Sequence, residues 1–492
     1  MRDPKYPSLY QINTRVWLTE LSGNLGRQAT LDDIPDAELD RLAEMGFDWI
    51  WFLSVWTTGK LGQEISRENP EWRHDFEATL PDLKEEDIAG SGFAIAAYTV
   101  HPDLGGDEAL ERLRNRLIER GLKLMLDFVP NHMGPDHPWV TEHPEYFISG
   151  TEDDLKNYPQ NYIQVKQEKE DLIFAYGRDP YFSGWPDTVQ LDYSNPDTVE
   201  AMSSELLRIS TQCDGVRCDM AMLVLPEVFE KTWGWAAQPF WPMVINLVHE
   251  KVPGFCFLAE VYWDMEWALQ QQGFDYAYDK RLYDRLTEGH ARAVREHFFA
   301  GLDYQDKLAR FLENHDEQRA ASEFHAEQHR AAAIITFLSP GLRFFHQGQF
   351  EGRLKRISPH LVRAPEEPVN EDIQKFYGSL LSALKKPVFR YGCWELLECV
   401  PAWDGNTTWD SFLAFAWENK DGRQVLVCVN YSPHDSQCFV HLPFEYSAGA
   451  TIRFVDLMSS DFYERESYEL LSPGLFVDLP AWGYNVFEVL VL

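Results

Sequence analysis

Eight short apolar segments, each followed by an amphipathic stretch, limit the fold of this chain more than any other feature. The segments are almost continuously apolar, as expected for parallel strands that are buried on both faces. The stretches between them have apolar residues at helical spacing, so the pattern predicts repeated β–α units. Eight such units predict an α/β fold, the (β/α)₈ TIM barrel. The predicted strands are centred near residues 10, 51, 125, 216, 257, 276, 312 and 344.

Two regions interrupt this rhythm and predict additional domains. Residues 134–192 are rich in Pro, Asp, Tyr and Gly and are too long for a bare loop, so we expect an inserted subdomain after strand 3. From residue 389 onward, short apolar segments alternate with turn residues, which predicts a C-terminal antiparallel β-sandwich. The predicted domains are the catalytic barrel (1–133 and 193–388), the inserted subdomain (134–192) and the β-sandwich (389–492).

Charge and composition exclude several classes of partner. With 44 basic and 79 acidic residues the net charge is −35, so we expect neither nucleic acid nor a membrane surface as a partner. No apolar run reaches the length of about 18 residues that a transmembrane helix needs. The seven cysteines lack metal-type spacing and the N-terminus lacks a signal-peptide core, so we expect free thiols and a cytoplasmic location. A secreted form without its leader stays open, and so does the oligomeric state.

Ionisable residues stand at the ends of four predicted strands. In a barrel of this type the active site lies at the C-terminal ends of the strands. A charged residue at the end of a buried strand loses hydration, so such residues usually face a polar pocket. One β–α unit separates Asp219 from Glu260, and two separate Glu260 from Asp316, so the three carboxylates are expected to converge. The other ionisable residues at these ends are Asp127, His132, Arg217 and His315.

Four short motifs at these strand ends carry a family resemblance. They are DFVPNH at residues 127–132, GVRCD at 215–219, LAEV at 258–261 and ENHD at 313–316. In this order and spacing, the chain resembles the α-amylase family of retaining glycoside hydrolases over about residues 8–390. The resemblance implies a retaining α-glycosidase that acts on α-linked glucans such as starch or glycogen, or on maltooligosaccharides. The reaction would pass through a covalent glycosyl-aspartate intermediate.

The resemblance implies a catalytic role for each of the three carboxylates. Asp219 would be the nucleophile, Glu260 the general acid/base, and Asp316 a third carboxylate that binds sugar hydroxyls. A retaining glycosidase needs one ionised and one protonated carboxyl group about 5–5.5 Å apart. Arg217 precedes Asp219 by two residues on one strand, so it points to the same side and would hold Asp219 ionised. Glu260 follows an apolar strand and lies near another carboxylate, so its pKa should be raised.

Four further residues would complete the substrate site. The resemblance implies that His132 and His315 bind sugar hydroxyls, that Phe93 stacks on the sugar at the cleaved bond, and that Asp127 buttresses the site. Simple core packing of Phe93 and a purely structural brace at Asp127 stay open as alternatives. Five tryptophans could supply further sugar platforms, although a chain with 17 Trp must bury most of them. They are Trp233, Trp235, Trp241, Trp263 and Trp267.

The calcium site and the exo-acting pocket of the family are only partly represented. Asn131 matches a calcium ligand, but Gln190 stands in place of a carboxylate and Leu223 in place of a histidine. A neutral amide is a weaker calcium ligand than an anion, so we expect no metal and no other cofactor. A different calcium site at the acidic residues 152–154 stays open. Ala94 replaces the aspartate of many exo-acting α-glucosidases, which does not favour that pocket.

Three alternatives to a hydrolase of α-glucans stay open. A transglycosylase (glucanotransferase) or an α-glucosidase of the same family would use every one of the catalytic residues named above. A catalytically inactive barrel that binds glycans or a protein partner belongs to another class. The presence of Asp219, Glu260 and Asp316 together argues against the inactive barrel.

Overall fold

The computed structural model describes residues 3–166, 171–444 and 446–492. Eight parallel strands close into a barrel in the order β1-β8-β7-β6-β5-β4-β3-β2. Each predicted apolar segment supplies one of these strands, so the predicted (β/α)₈ barrel is confirmed. The strands are β1 Ser8–Asn13, β2 Trp49–Leu53, β3 Lys123–Phe128, β4 Gly215–Cys218, β5 Cys256–Ala259, β6 Tyr276–Tyr278, β7 Leu308–Arg310 and β8 Leu342–His346.

Helices lie between successive strands and cover the outside of the barrel. The helix Gly106–Glu119 is representative, because its buried residues Ala109, Leu110, Leu113 and Leu117 recur at helical spacing. The other helices of the barrel region are Thr14–Leu25, Asp36–Met45, Lys60–Glu68, Pro70–Thr79, Pro196–Ser210, Pro226–Trp233, Trp241–Lys251, Glu266–Gln271, Lys280–Glu288, Ala291–His297, Leu302–Gln305, Ala320–Glu323, Ala326–Phe337, Glu371–Leu384 and Pro387–Tyr391.

The seventh strand ends earlier than the sequence pattern indicates. Regular pairing stops at Arg310, so the segment 313–316 lies in a turn above the strand. The side chain of Asn314 accepts hydrogen bonds from the backbone N–H groups of Asp316 (2.8 Å) and Glu317 (2.9 Å). Such an Asx turn competes with strand pairing and turns the chain over the barrel mouth.

An inserted segment joins β3 to the helix that precedes β4. It contains an antiparallel hairpin of Tyr162–Val165 with Leu172–Ala175, and two short helices, Trp139–Glu142 and Glu152–Asn157. A second antiparallel pair, His132–Met133 with Val189–Gln190, holds the two ends of the segment together. The limits of this subdomain at residues 134 and 192 stay a prediction.

The C-terminal region consists of two antiparallel sheets, which confirms the predicted β-sandwich class. A six-stranded sheet has the order β9-β11-β12-β17-β14-β15, and a three-stranded sheet has the order β10-β13-β16. The last strand in sequence, β17, therefore lies in the interior of the larger sheet. The strands are β9 Cys393–Leu397, β10 Cys399–Val400, β11 Phe412–Glu418, β12 Gln424–Asn430, β13 Ser436–Val440, β14 Thr451–Asp456, β15 Phe462–Glu466, β16 Leu475–Leu479 and β17 Tyr484–Val491.

The larger sheet is buried on both faces at its centre. Ala414 and Leu426 pack in a core shared with the smaller sheet. Leu413 and Trp417 point the other way, into the core of the barrel domain. Trp417 packs edge-on against Tyr6 (ring centroids 5.0 Å apart), and its Nε1 donates a 2.7 Å hydrogen bond to the Leu338 carbonyl oxygen. This double burial explains why β11 and β12 read as continuously apolar.

Two further expectations concern thiols and membranes. All seven cysteines are free thiols, six of them buried and only Cys393 exposed. In the part of the chain that the structure describes, no helix combines the length and apolar character needed to cross a membrane.

Replacing Trp417 with alanine should destabilise the protein strongly. The change removes a fully buried ring between barrel and sheet, and such substitutions cost about 3–5 kcal/mol of unfolding free energy. Urea denaturation of Trp417→Ala measures the loss. Trp403→Ala is the matched control, because Trp403 lies in the same region but is 55% exposed, and its midpoint should stay near the wild-type value. Equal losses in the two variants would contradict the packing role.

Candidate active site

The carboxyl groups of Asp219 and Glu260 meet at one buried guanidinium. Arg217 lies on β4, two residues before Asp219, and Glu260 follows the neighbouring parallel strand β5. Nη1 of Arg217 lies 2.6 Å from Asp219 Oδ1, and Nη2 lies 2.7 Å from Glu260 Oε2. Because Arg217 is only 1% exposed, water screens these charges little. The guanidinium is also within 6 Å of three aromatic ring centres: Trp51 (5.5 Å), Phe93 (5.2 Å) and Tyr278 (5.9 Å).

Glu260 has the properties of a proton donor. Burial raises the pKa of Glu260 to about 8, although Arg217 opposes the rise. The neighbouring carboxylates of Asp219 and Asp316 contribute to this rise, so the group is protonated at neutral pH. Its Oε2 accepts a hydrogen bond from the backbone N–H of Met220 (2.6 Å) and forms an ion-pair contact with Nη2 of Arg217. The transferable proton therefore belongs on Oε1.

Two residues that the sequence patterns did not single out hold the acid in this orientation. The hydroxyl of Tyr262 lies 3.1 Å from Oε1 of Glu260. Met220 has a left-handed backbone (φ 41°), which is uncommon for a residue other than glycine. This conformation directs its N–H at Oε2 of Glu260. The acid is thus contacted at both oxygens.

Asp316 and His315 stand together on the turn above β7. His315 Nε2 lies 3.1 Å from Asp316 Oδ2, without the alignment that a hydrogen bond needs. On the opposite side of the ring, the Nε2 of Gln11 on β1 is 2.8 Å from Nδ1 of His315. Burial lowers the pKa of His315 to about 4, so the imidazole is neutral at physiological pH. Asp316 is the most accessible of the three carboxylates, with 39% of its side chain exposed.

Phe93 contributes a flat apolar surface beside these groups. Its ring stacks on the ring of His315, with centroids 5.4 Å apart and planes inclined by 28°. The side chain is partly exposed, and its ring also contacts the guanidinium of Arg217. The structure therefore places Phe93 between His315 and Arg217, and its predicted role in stacking on a sugar stays a prediction.

Asp127 lies below the site, fully buried. Its two carboxylate oxygens accept hydrogen bonds from Trp51 Nε1 (3.0 Å) and from the backbone N–H of Ser54 (2.9 Å). Burial raises the pKa of Asp127 to about 7, and the charge of Arg217 opposes that rise. These bonds join the ends of β2 and β3, so the arrangement matches the bracing role rather than contact with a sugar.

His132 lies at the junction between β3 and the inserted segment. It is buried, and this burial lowers the pKa of its imidazole, which is therefore neutral at physiological pH. Its ring contacts Trp185 of the inserted segment at a centroid distance of 5.2 Å. Its neighbour Asn131 pairs with Gln190, the residue that faces His132 across the short antiparallel pair.

The five candidate platforms divide into core and surface residues. Trp241 is buried and donates a hydrogen bond to the Ala221 carbonyl oxygen, so a platform role for Trp241 is wrong. Trp233 is also mostly buried, under the guanidinium of Arg178. The exposed members are Trp235, Trp263 and Trp267, of which Trp263 contacts Tyr181 of the inserted segment.

The acidic residues 152–154 do not form a carboxylate cage. They begin the helix Glu152–Asn157, and the side chain of Asp154 accepts hydrogen bonds from Thr151 in a capping box. Across the described ranges, no group of three or more His, Cys, Asp and Glu side chains is arranged to hold a metal ion.

Comparison with known proteins identifies the family. A model of the alpha amylase catalytic domain matches residues 30–377, well over half of the chain. The chain belongs to the alpha-amylase family. Among solved structures, the maltogenic α-amylase AmyB of Thermotoga neapolitana superposes with a TM-score of 0.69 at 18% identity, covering 99% of both chains. The α-amylase of Geobacillus thermoleovorans gives 0.66 at 19% identity, covering 100% of this chain and 99% of its own. At this identity the likeness shows the fold.

Two curated relatives of this chain carry different kinds of name. Alpha-amylase MalA of Haloarcula japonica is 24% identical over 385 residues, which are 76% of this chain and 48% of that protein. An alpha-1,4-glucan:maltose-1-phosphate maltosyltransferase of Salinibacter ruber is 33% identical over 150 residues, 28% of this chain and 20% of the relative. The matched region thus spans between a fifth and about half of these relatives' length.

The pH dependence should reveal the proton on Glu260. Because kcat/KM reports the free enzyme, it should fall as pH rises through about 8 and Glu260 loses its proton. Tyr262→Phe removes a donor that stabilises the ionised carboxyl, so the pKa of Glu260 should rise and the alkaline limb should move to higher pH. Initial rates on a maltooligosaccharide measure both profiles. Tyr181→Phe is the control, and a limb that stays in place in Tyr262→Phe would contradict the assignment.

Proposed function

We propose that this chain hydrolyses α-linked glucans or maltooligosaccharides with retention of anomeric configuration. The observation that carries the proposal is the guanidinium of Arg217, which contacts one oxygen of Asp219 and one of Glu260. Two carboxyl groups that each contact a terminal nitrogen of the same guanidinium lie near each other. Such proximity favours direct attack by one of them, since an inverting enzyme needs about 6.5–9.5 Å between its carboxyls to admit a water.

In the first step the glycosidic bond breaks between the two carboxyl groups. Glu260 gives its Oε1 proton to the glycosidic oxygen as the bond from that oxygen to C1 breaks. Oδ2 of Asp219 attacks C1, because Oδ1 is bound to Arg217, and a glycosyl ester forms. The leaving sugar departs with the proton. Glu260 is then an ionised carboxylate.

In the second step a water molecule replaces the enzyme at C1. The ionised Glu260 takes a proton from the water molecule while the oxygen of that water attacks C1. At the same time the ester bond between C1 and Asp219 breaks. The sugar is released with its original configuration, and Glu260 is protonated again. His315 and Asp316 would bind sugar hydroxyls throughout, because a neutral imidazole and a carboxylate offer a donor and acceptors side by side.

A sugar hydroxyl in place of water would make the same site a transglycosylase. The relatives named maltosyltransferase support this second candidate. Incubation with maltooligosaccharides separates the two functions, because a transferase yields products longer than the substrate and a hydrolase yields shorter ones. Assays on starch, maltooligosaccharides, trehalose and sucrose would also expose an inactive barrel, which would release no reducing sugar.

The proposal extends to the cellular location and the partner. A cytoplasmic enzyme whose partner is its α-glucan or oligosaccharide substrate agrees with seven free thiols and a net charge of −35. The strong negative charge does not oppose the binding of an uncharged glucan.

Neutral substitutes for the catalytic carboxyls should abolish turnover. Asp219→Asn and Glu260→Gln should each lower kcat by at least about a thousandfold, roughly 4 kcal/mol of transition-state stabilisation. Glu266→Gln is the matched control, because Glu266 is equally buried just beyond the same strand but lies outside the proposed chemistry. Near-normal rates in either catalytic variant, measured on a natural glucan, would refute the assignment.

The configuration of the first product tests the covalent step. Two displacements at C1 return the α anomer, so proton NMR of the earliest product should show the α signal before mutarotation. An initial β anomer would show a single displacement by water instead.

A further inference from the structure

The junction between β3 and the inserted segment contains a buried amide in an unusual setting. Gln190 is fully buried, and Asn131 is nearly so. Nε2 of Gln190 lies 2.9 Å from the Asn131 carbonyl oxygen, 3.0 Å from Asn131 Oδ1 and 3.0 Å from the Leu191 carbonyl oxygen. Three oxygen atoms therefore surround one nitrogen atom that carries two protons.

The orientation of this amide follows from its neighbours. Two of the three oxygens are backbone carbonyls, which can only accept hydrogen bonds, so the atom between them must be the donor nitrogen. The other end of the amide agrees, since Oε1 of Gln190 accepts from Asn131 Nδ2 (3.1 Å) and from the backbone N–H of Arg178 (3.4 Å). The donor and acceptor roles of these neighbours therefore agree with one orientation of the amide.

These residues do not fit the calcium ion that the α-amylase resemblance implies at Asn131. Calcium takes six to eight oxygen ligands at about 2.3–2.6 Å and draws much of its affinity from carboxylates. Here the space among the three oxygens is taken by the amide nitrogen, and a neutral side chain stands where a carboxylate is expected. An ion could enter only by displacing Gln190 from a buried set of hydrogen bonds, which would leave polar groups unpaired.

We propose that the side-chain amide of Gln190 is a built-in substitute for a structural cation. Its partly positive NH₂ group is surrounded by oxygen atoms, as a bound cation would be. Unlike a cation, the amide is covalently attached to the chain and cannot be removed by a chelator. The amide ties Asn131, at the end of β3, to the strand Val189–Gln190 that returns from the inserted segment. His132 follows Asn131 directly, so this substitute also fixes one of the proposed sugar-binding residues.

Replacing Gln190 with aspartate should allow a cation to bind where the amide group now stands. The shorter side chain vacates the nitrogen position and adds a carboxylate beside the three oxygens, which creates room and charge for an ion. In EDTA, Gln190→Asp should melt about 5 °C or more below wild type, because it loses a buried donor. Added calcium should restore much of that loss and give saturable binding by calorimetry. The wild-type Tm should be the same in EDTA and in calcium.

Two control variants distinguish an ion site at these three oxygen atoms from a general effect of added negative charge. Gln160→Asp introduces the same change at an exposed turn of the inserted segment, so its Tm should not respond to calcium. Gln190→Met keeps the length of the side chain but no donor, so it should lose stability that calcium cannot restore. If Gln190→Asp fails to fold, two measurements still test the proposal. They are the comparison of Gln190→Met with the wild type and the calcium titration of the wild type.

Two results would overturn the proposal. One is a wild-type Tm that falls in EDTA and recovers with calcium, and the other is a folded Gln190→Asp variant that is indifferent to calcium. None of these measurements depends on turnover, so the outcome is independent of the proposed glycosidase activity.

Discussion

The positive charge of Arg217 is buried beside two carboxyl groups, and the arrangement of the proposed catalytic centre depends on it. An unpaired charge at this depth would cost several kcal/mol, so the side chain needs an ionised partner within contact distance. Asp219 supplies that partner at 2.6 Å. The carboxyl group of Glu260 contacts the second terminal nitrogen of the planar guanidinium. Burial favours the neutral form of this carboxyl group. One guanidinium thus orients both members of the pair.

Much of this centre could be predicted from sequence because its main parts are local. Arg217 lies on β4 and Asp219 follows that strand directly, and the parallel register of a barrel brings the ends of β4 and β5 to the same rim. The contact of Gln11 with His315 could not be predicted, because it joins positions about 300 residues apart and depends on the closure of the barrel. The left-handed backbone of Met220 carries no residue-type signal, since glycine is the usual marker of such a conformation. Tyr262 could be predicted from sequence, because it stands two residues after Glu260.

The fold was predictable for a similar reason, and the exceptions are instructive. Barrel strands that are buried on both faces leave an unbroken apolar pattern, which β2 shows at every position. The apolar pattern places the end of β7 too late, because Asn314 starts its turn through side-chain hydrogen bonds that such a pattern does not contain. The ring of Trp241 packs in the core, which the sequence could not show because periodicity does not distinguish a sugar platform from a buried aromatic.

The position of β17 determines the order in which the strands of the larger sheet can pair during synthesis. This strand is the last of its sheet in sequence, yet it pairs with β12 on one side and with β14 on the other. The hairpin of β14 and β15 therefore has no edge to join until β17 has left the ribosome. Up to that moment the sheet consists of β9, β11 and β12. In this state β12 is an edge strand, and the backbone N–H and C=O groups along its outer side are unpaired. A pause in translation just before β17 would expose that edge to other nascent chains.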